Sequence, residues 1–387
     1  MYYKYNIHLQ WDECCKRAKR RVIKMKARYP RLEINLDHLH HNMAKIVEKC
    51  GAHGIQVAGV IKGVNGLPEV AKTFDHAGAA FIASSRLEQL QDAKDAGIEK
   101  KMMLVRIPMI SEAHDVVTIA DISLNSELEV IKALNEAARI EGKLHKVILM
   151  ADVGDLREGW WDKDELVDVA EYIENKMINI QLVGVGFNVG CYGSTMPTVD
   201  KLNELIEIAE RIEARIGREL EYISGGATST LLRIWDGNIP ERINLLRIGE
   251  GVLQARDLDV YYGYDMSELY QDVFRLKAEV IEVKDKPTHP IGEVGVDAFG
   301  HCPVYIDRGI RKRALLGMGK VDYGDPGELL IMEEGIEIIG AASDHTIVDV
   351  EDAVKDWKVG DIMTFDVCYA TAVYLTASRN VNIEFVK

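Results

Sequence analysis

The 387-residue sequence predicts a (β/α)8 barrel of the TIM type followed by a β-rich C-terminal domain. Two observations carry that prediction. Between residue 56 and about residue 250, eight short apolar runs alternate with amphipathic stretches at helical spacing. After roughly Tyr262 the texture changes to alternating, β-branched runs separated by turn residues.

The eight runs are QVAGVIK, AAFIAS, KMMLVRI, DISLNS, HKVILMAD, QLVGVGFN, EYISGG and INLLRIG. Parallel strands need helical crossovers, and LPEVAKTFDHAG, RLEQLQDAKDAG, LEVIKALNEAARIEG and KLNELIEIAERIEARIG supply them, each ending on a glycine suited to a left-handed C-cap. An open doubly wound sheet is the alternative, but no G-x-G-x-x-G follows the first run. A further strand, RLEINLD, and a helix, HLHHNMAKIVEKCG, precede the first unit. The C-terminal strands are FRLKAEVIEVKD, ALLGMGK, IEIIGAAS, DIMTFDV and NVNIEFVK, with a turn at Tyr323-Gly324-Asp325-Pro326-Gly327. The expected division is a basic extension over 1–30, the barrel over 31–262 and the β-rich domain over 263–387.

Composition narrows the class. The chain is 47% hydrophobic without any apolar run long enough to span a bilayer, so no membrane partner is expected. A formal net charge of −15 argues against nucleic acid as a main partner. The six cysteines (Cys14, Cys15, Cys50, Cys191, Cys302 and Cys368) form no C-x-x-C pair and no zinc spacing. They read as free thiols in a reducing compartment, with no metal expected. The opening residues lack the apolar centre of a secretory signal, and the expected location is cytoplasmic. Eight basic residues between Lys16 and Arg28 read as a solvated helical extension.

Barrel chemistry sits at the C-terminal ends of the strands, so the polar residues there are the informative ones. Lys62 ends the first run. At a strand end a lysine is usually an apolar stem with its charge in water. Delivered into a cavity, its amine is what a pyridoxal phosphate enzyme needs: it can form a Schiff base with the cofactor aldehyde, and desolvation makes it a better base. Ser84 and Ser85, Arg106, Asn125, Asp152 to Arg157 and Asn188 end the next five strands. SGGATST follows the seventh, where two glycines allow close backbone approach and Thr228 and Ser229 offer hydroxyls at a helix start. Arg247, Ile248 and Gly249 close the eighth, so the two segments occupy the usual phosphate position of such barrels. An arginine at 247 stays protonated and can donate to a pyridine nitrogen. That leaves the ring a weaker electron sink, which suits rapid reprotonation of an α-carbanion, as in racemisation.

As an ordered set, VIKGVNG, DVGDLREG, GFNVGCYG, SGGATST, RIGEG and AASDH resemble the alanine racemase-like pyridoxal phosphate enzymes, and within them the ornithine racemase branch, over residues 31–387. The resemblance implies an amino acid racemase, ornithine or another basic amino acid being the expected substrate, that works as a homodimer with sites at the interface. It implies Lys62 as the Schiff-base lysine, Arg157 at the cofactor's phenolic oxygen and Asn188 over the ring. Arg247 would face the pyridine nitrogen, with Thr228, Ser229, Ile248 and Gly249 around the phosphate.

The departures bear on substrate and mechanism. Alanine racemases carry a tyrosine soon after the lysine, where this chain has Gly63-Val64-Asn65-Gly66, and their second base is a tyrosine in a G-Y-x-D-G stretch that here reads Gly319-Lys320-Val321-Asp322-Tyr323. Alanine is therefore not the expected substrate. Racemisation needs an acid or base on each face of the α-carbon. Lys62 is expected on one face and Asp344 with His345 on the other, with Tyr323 and Lys320 in reserve. Asp155, Glu250 and Asp322 are candidates to hold a distal ammonium. The competing readings are a fold-related decarboxylase, a D-threonine-type aldolase, and a non-catalytic protein that binds the cofactor.

Overall fold

The computed structural model describes residues 29–302 and 304–387. The basic stretch, Cys14 and Cys15 lie outside the described residues. The chain enters through β1 (Arg31–Asn35) and a helix, Leu36–Gly51, whose first amides are capped by the Asn35 side chain. Eight parallel strands then close on themselves: β2 (Gln56–Val60), β3 (Phe81–Ser84), β4 (Lys101–Leu104), β5 (Ile122–Asn125), β6 (His145–Met150), β7 (Ile180–Gly186), β8 (Tyr222–Ser224) and β9 (Leu245–Ile248). Seven lie inside the apolar runs and β7 begins one residue before its run, so the predicted barrel is the observed one.

Alternation along the strands builds two cores. Ala58, Val60, Phe81, Ala83, Met103, Ile122, Leu124, Ile148, Met150, Val183, Tyr222 and Leu245 fill the barrel interior. The intervening residues join the larger core beneath the surrounding helices. Register then decides what reaches the mouth. Ala58 pairs with Arg247, so Arg247 points inward with Ala58, and Ile248 turns outward.

The second domain is an antiparallel sheet in the order β12 (Leu330–Ile331), β15 (Ile362–Asp366), β10 (Phe274–Pro287), β11 (Ile310–Leu316), β14 (Thr346–Asp349), β13 (Glu337–Ala341). β16 (Asn382–Val386) attaches through β1, which runs parallel to it and antiparallel to β10. The strand that opens the 31–262 segment therefore belongs to the C-terminal sheet, because a closed barrel has no edge to accept it and β10 has one. ALLGMGK also divides differently: its first residues finish β11, and Lys320 begins a short helix, Lys320–Tyr323. Among the described residues no helix is long and apolar enough to cross a membrane.

The domains meet at the barrel mouth. The helix Tyr369–Leu375 lies on the turn at Lys62–Val64, and a Cβ on Gly63 would come within 2.7 Å of the Tyr369 ring. Gln254 donates to the Val367 carbonyl at 2.6 Å and Arg256 pairs with Asp366 at 3.3 Å. The C-terminal domain thus supplies one wall of the mouth from the same chain.

Candidate active site

A cavity of about 430 Å³ opens where β2, β7, β8 and β9 end. Lys62, Arg157, Asn188, Thr228, Ser229, Arg247 and Gly249 line it, so seven of the residues expected to bind the cofactor meet in one place. Ile248 does not: its side chain is fully buried in the outer core, as the β2–β9 register requires. Asp344 and His345 do not line it either. They occupy an exposed turn between β13 and β14, at the far end of the sheet order, where the Ala342 amide donates to the His345 carbonyl at 2.8 Å. Tyr323 is fully buried with its hydroxyl 2.7 Å from that of Thr346, which removes it as a base within this chain.

Lys62 follows β2 in a single 3-10 turn closed by Asn65 in the left-handed conformation. Solvent reaches it through the cavity, yet the surrounding protein desolvates the amine and lowers its pKa. Arg247 is the most enclosed cation, 4% exposed. It donates to the Phe187 carbonyl at 2.7 Å and to the Ser224 hydroxyl. Burial pulls it down only to about 10, so it is protonated at neutral pH.

The DVGDLR loop is shaped by its two aspartates. Asp152 accepts from the amides of Gly154 and Leu156 at 2.8 and 3.1 Å, folding the loop on itself. Asp155, 1% exposed, accepts from the amides of Gly190, Tyr192 and Thr195 at 3.1, 3.2 and 3.4 Å. A carboxylate with those bonds serves the loop after β7 and is not a substrate contact. Arg157 is left facing the cavity, paired with Glu158 through both carboxylate oxygens and 2.9 Å from the Cys191 sulfur.

At the phosphate corner Thr228 and Ser229 open a helical turn, and the Thr228 hydroxyl accepts from the Gly251 amide at 3.1 Å. A Cβ on Gly251 would crowd Leu231 at 2.8 Å, so the small residue lets two helical turns close on the corner. Of the remaining candidate carboxylates, Asp322 accepts from the Gly319 amide, Ser378 and Asn380 in the second domain. Glu250 lines the cavity with a carboxyl turned to the Asp257 amide at 3.2 Å.

Burial pushes the Glu250 carboxyl up to about 8. An unfolded glutamate ionises near roughly 4.3, so between those values the unfolded chain has released a proton that the folded chain keeps. This group therefore makes stability fall as pH rises through the window and level off above it. Glu250→Gln is expected to match the parent near about pH 4 and exceed it in unfolding free energy near about pH 8, a comparison that urea titrations at the two pH values provide. Equal stability at both would count against the buried carboxyl.

Glu158, Cys191, Asp257, Leu258, Tyr261, Tyr262 and Tyr369 also line the cavity without having been expected there. Two had a local signal, Glu158 beside Arg157 and Cys191 three residues beyond Asn188. Tyr369 had none, because only the docking of the second domain brings it to the mouth.

Residues 34–256 match the family described as alanine racemase, N-terminal domain. An ornithine racemase of Acetoanaerobium sticklandii is 43% identical over 359 residues, covering 92% of this chain and 100% of that protein. A lysine racemase of Thermotoga maritima is 40% identical over 342 residues, covering 88% and 94% of the two chains. The crystal structure of alanine racemase from D-cycloserine producing Streptomyces lavendulae superposes with a TM-score of 0.73 at 19% identity, over 92% of this chain and 97% of that one, a likeness of fold.

Proposed function

The chain belongs to the alanine racemase family, and from that premise we propose that it racemises a basic amino acid, ornithine first, with pyridoxal 5'-phosphate as cofactor. The observation that carries the reading is the convergence of Lys62, Arg157 and Arg247 with Thr228, Ser229 and Gly249 on one cavity.

The residues present fit that group. Three cations face an anionic ligand, and the hydroxyls and open backbone of the corner suit a phosphate. Thr228, Ser229 and Gly249 would hold the phosphate, Arg247 the pyridine nitrogen, Arg157 the phenolic oxygen, and Asn188 would lie against the ring. When bound, the cofactor supplies an electron-withdrawing ring that acidifies the substrate α-carbon. Lys62 anchors it and moves the α-proton on its own face, its lowered pKa giving a larger neutral fraction at physiological pH than an exposed lysine has. Arg247 is protonated at neutral pH and would donate to the pyridine nitrogen, an arrangement that suits prompt reprotonation over decarboxylation. Asp257 gives the cavity wall a carboxyl group beyond the Arg157–Glu158 pair, which supports a substrate with a distal ammonium. A homodimer in the cytoplasm completes the proposal. Ile291, Val296, Val304 and Ile306 are all at least 66% exposed on one long loop, an apolar surface that association would cover.

The test is α-proton exchange in deuterated water, with purified protein, pyridoxal phosphate and L-ornithine, L-lysine or L-alanine in parallel. Deuterium at the α-carbon together with the D-isomer, faster for ornithine and lysine than for alanine, is the expected result by NMR and chiral chromatography. Bound cofactor without exchange of any substrate would transfer the case to a decarboxylase, an aldolase or a non-catalytic binder.

A further inference from the structure

We infer that Cys191 is the acid/base group for the face of the substrate α-carbon opposite Lys62. The inference rests on the racemase reading and adds the identity of its second base, supplied by the same chain.

Placement is the first argument. The Cys191 sulfur lies in the Lys62 cavity, 2.9 Å from Nη1 of Arg157. The cavity that holds the sulfur is bounded by Lys62 on the barrel side and by Tyr369 of the second domain.

Positioning is the second. Both neighbours of Cys191 donate their amides to the buried Asp155 carboxylate, and Thr195 adds a third bond. A side chain at Gly193 would overlap the Asp155 backbone, so the loop closes tightly on its anchor. A buried charge satisfied by three amides on one loop is a costly device for a solvated turn and a reasonable one for fixing a reacting atom.

Three of the alternatives are occupied elsewhere, and a fourth is a half-buried phenol. Tyr323 is buried on Thr346, Glu158 is paired with Arg157, Glu250 faces the Asp257 amide, and burial raises the Tyr369 phenol. A thiol, by contrast, ordinarily exchanges its proton closer to neutrality than a phenol does. The step balances without a further reactant. The thiolate takes the α-proton while the C–H electron pair stays with the substrate, and the Lys62 ammonium gives a proton to the other face. For the opposite enantiomer the two groups exchange roles.

Holoenzyme carrying Cys191→Ala or Cys191→Ser tests this with each ornithine enantiomer separately in deuterated water. The expected result is asymmetric. Exchange of the enantiomer whose α-proton faces Lys62 persists, while exchange of the other and net interconversion fall by about 10²- to 10⁴-fold. Iodoacetamide mapping by mass spectrometry gives a readout independent of turnover. Cys191 in the apoenzyme should alkylate and be protected by cofactor with substrate, while Cys50, buried and pushed up to about 12, should not react. Equal loss for both enantiomers would mark a merely structural thiol and overturn the inference, as would undiminished racemisation by both variants, which would return the role to Asp344 and His345 of a second copy. If the parent enzyme binds cofactor but exchanges neither enantiomer, the racemase reading itself is what has failed.

Discussion

Lys62→Ala is expected to lower racemisation by at least about 10³-fold while leaving the fold intact, because it removes both the anchor of the cofactor and the base on one face. The side chain projects into the cavity and its amine is desolvated there, so the deletion relieves a burial cost and takes away no packing. Thermal unfolding of the variant should lie close to that of the parent. Borohydride reduction should fix cofactor to the parent at residue 62 and none to the variant. The depressed pKa adds a sign: below the range where exposed lysines lose their protons, this amine is already partly neutral, so it should condense with an aldehyde at lower pH than they do. A variant that keeps its turnover, or cofactor fixed at another lysine, would remove the central assignment.

The barrel was legible because its strands are buried on both faces and read as continuous apolar runs bounded by turn residues. Helix ends were legible for a local reason as well: Gly142 and Gly217 take the left-handed conformation at the ends of Leu128–Glu141 and Val199–Ile216. The second domain was harder to read. β11 begins as IRKR, half-exposed although the strand lies inside the sheet, and β14 has four residues, so neither gives a clean alternation. β1 was grouped with the barrel segment because its partners, β10 and β16, lie at the other end of the chain.

The site divides the same way. Lys62, Arg157, Asn188, Thr228, Ser229, Arg247 and Gly249 end strands or open turns, and the topology of a parallel barrel sends such positions to one mouth. Ile248 keeps its side chain out of the mouth, since alternation turns the neighbour of an inward arginine outward. Asp344 and His345 were chosen for their chemistry alone, with no topological argument to bring that turn to the mouth. Tyr369 could be found only in three dimensions, because the docking that places it joins segments far apart in sequence, whereas Cys191 had its nearness to Asn188 as a local signal. The pair of Arg157 with Glu158 shows how such contacts alter chemistry: the carboxylate fixes one edge of the guanidinium and leaves the other toward Cys191.

The largest structural penalty is expected from Arg247→Ala. The guanidinium is enclosed inside the barrel and satisfies the Phe187 carbonyl and the Ser224 hydroxyl, so truncation leaves two buried groups without a donor and a void between β7, β8 and β9. A loss of about 3 kcal/mol or more in unfolding free energy follows from those costs together. Arg247→Lys keeps the charge but lacks the planar fork needed to reach both partners, and should fall between the two. The pH dependence separates this residue from Glu250. Its folded pKa, about 10, lies below that of an unfolded arginine, so folded and unfolded chains are equally charged here until pH approaches that value. The Arg247→Ala penalty should therefore be flat from about pH 6 to about pH 9, while the Glu250→Gln gain grows over the lower part of that range. Cofactor affinity, read by fluorescence titration of the folded variants, should weaken for both Arg247 substitutions and remain near the parent value for Glu250→Gln. A pH-dependent Arg247 penalty would mean that its charge is coupled to another buried group, and unchanged cofactor affinity would take Arg247 out of the binding site.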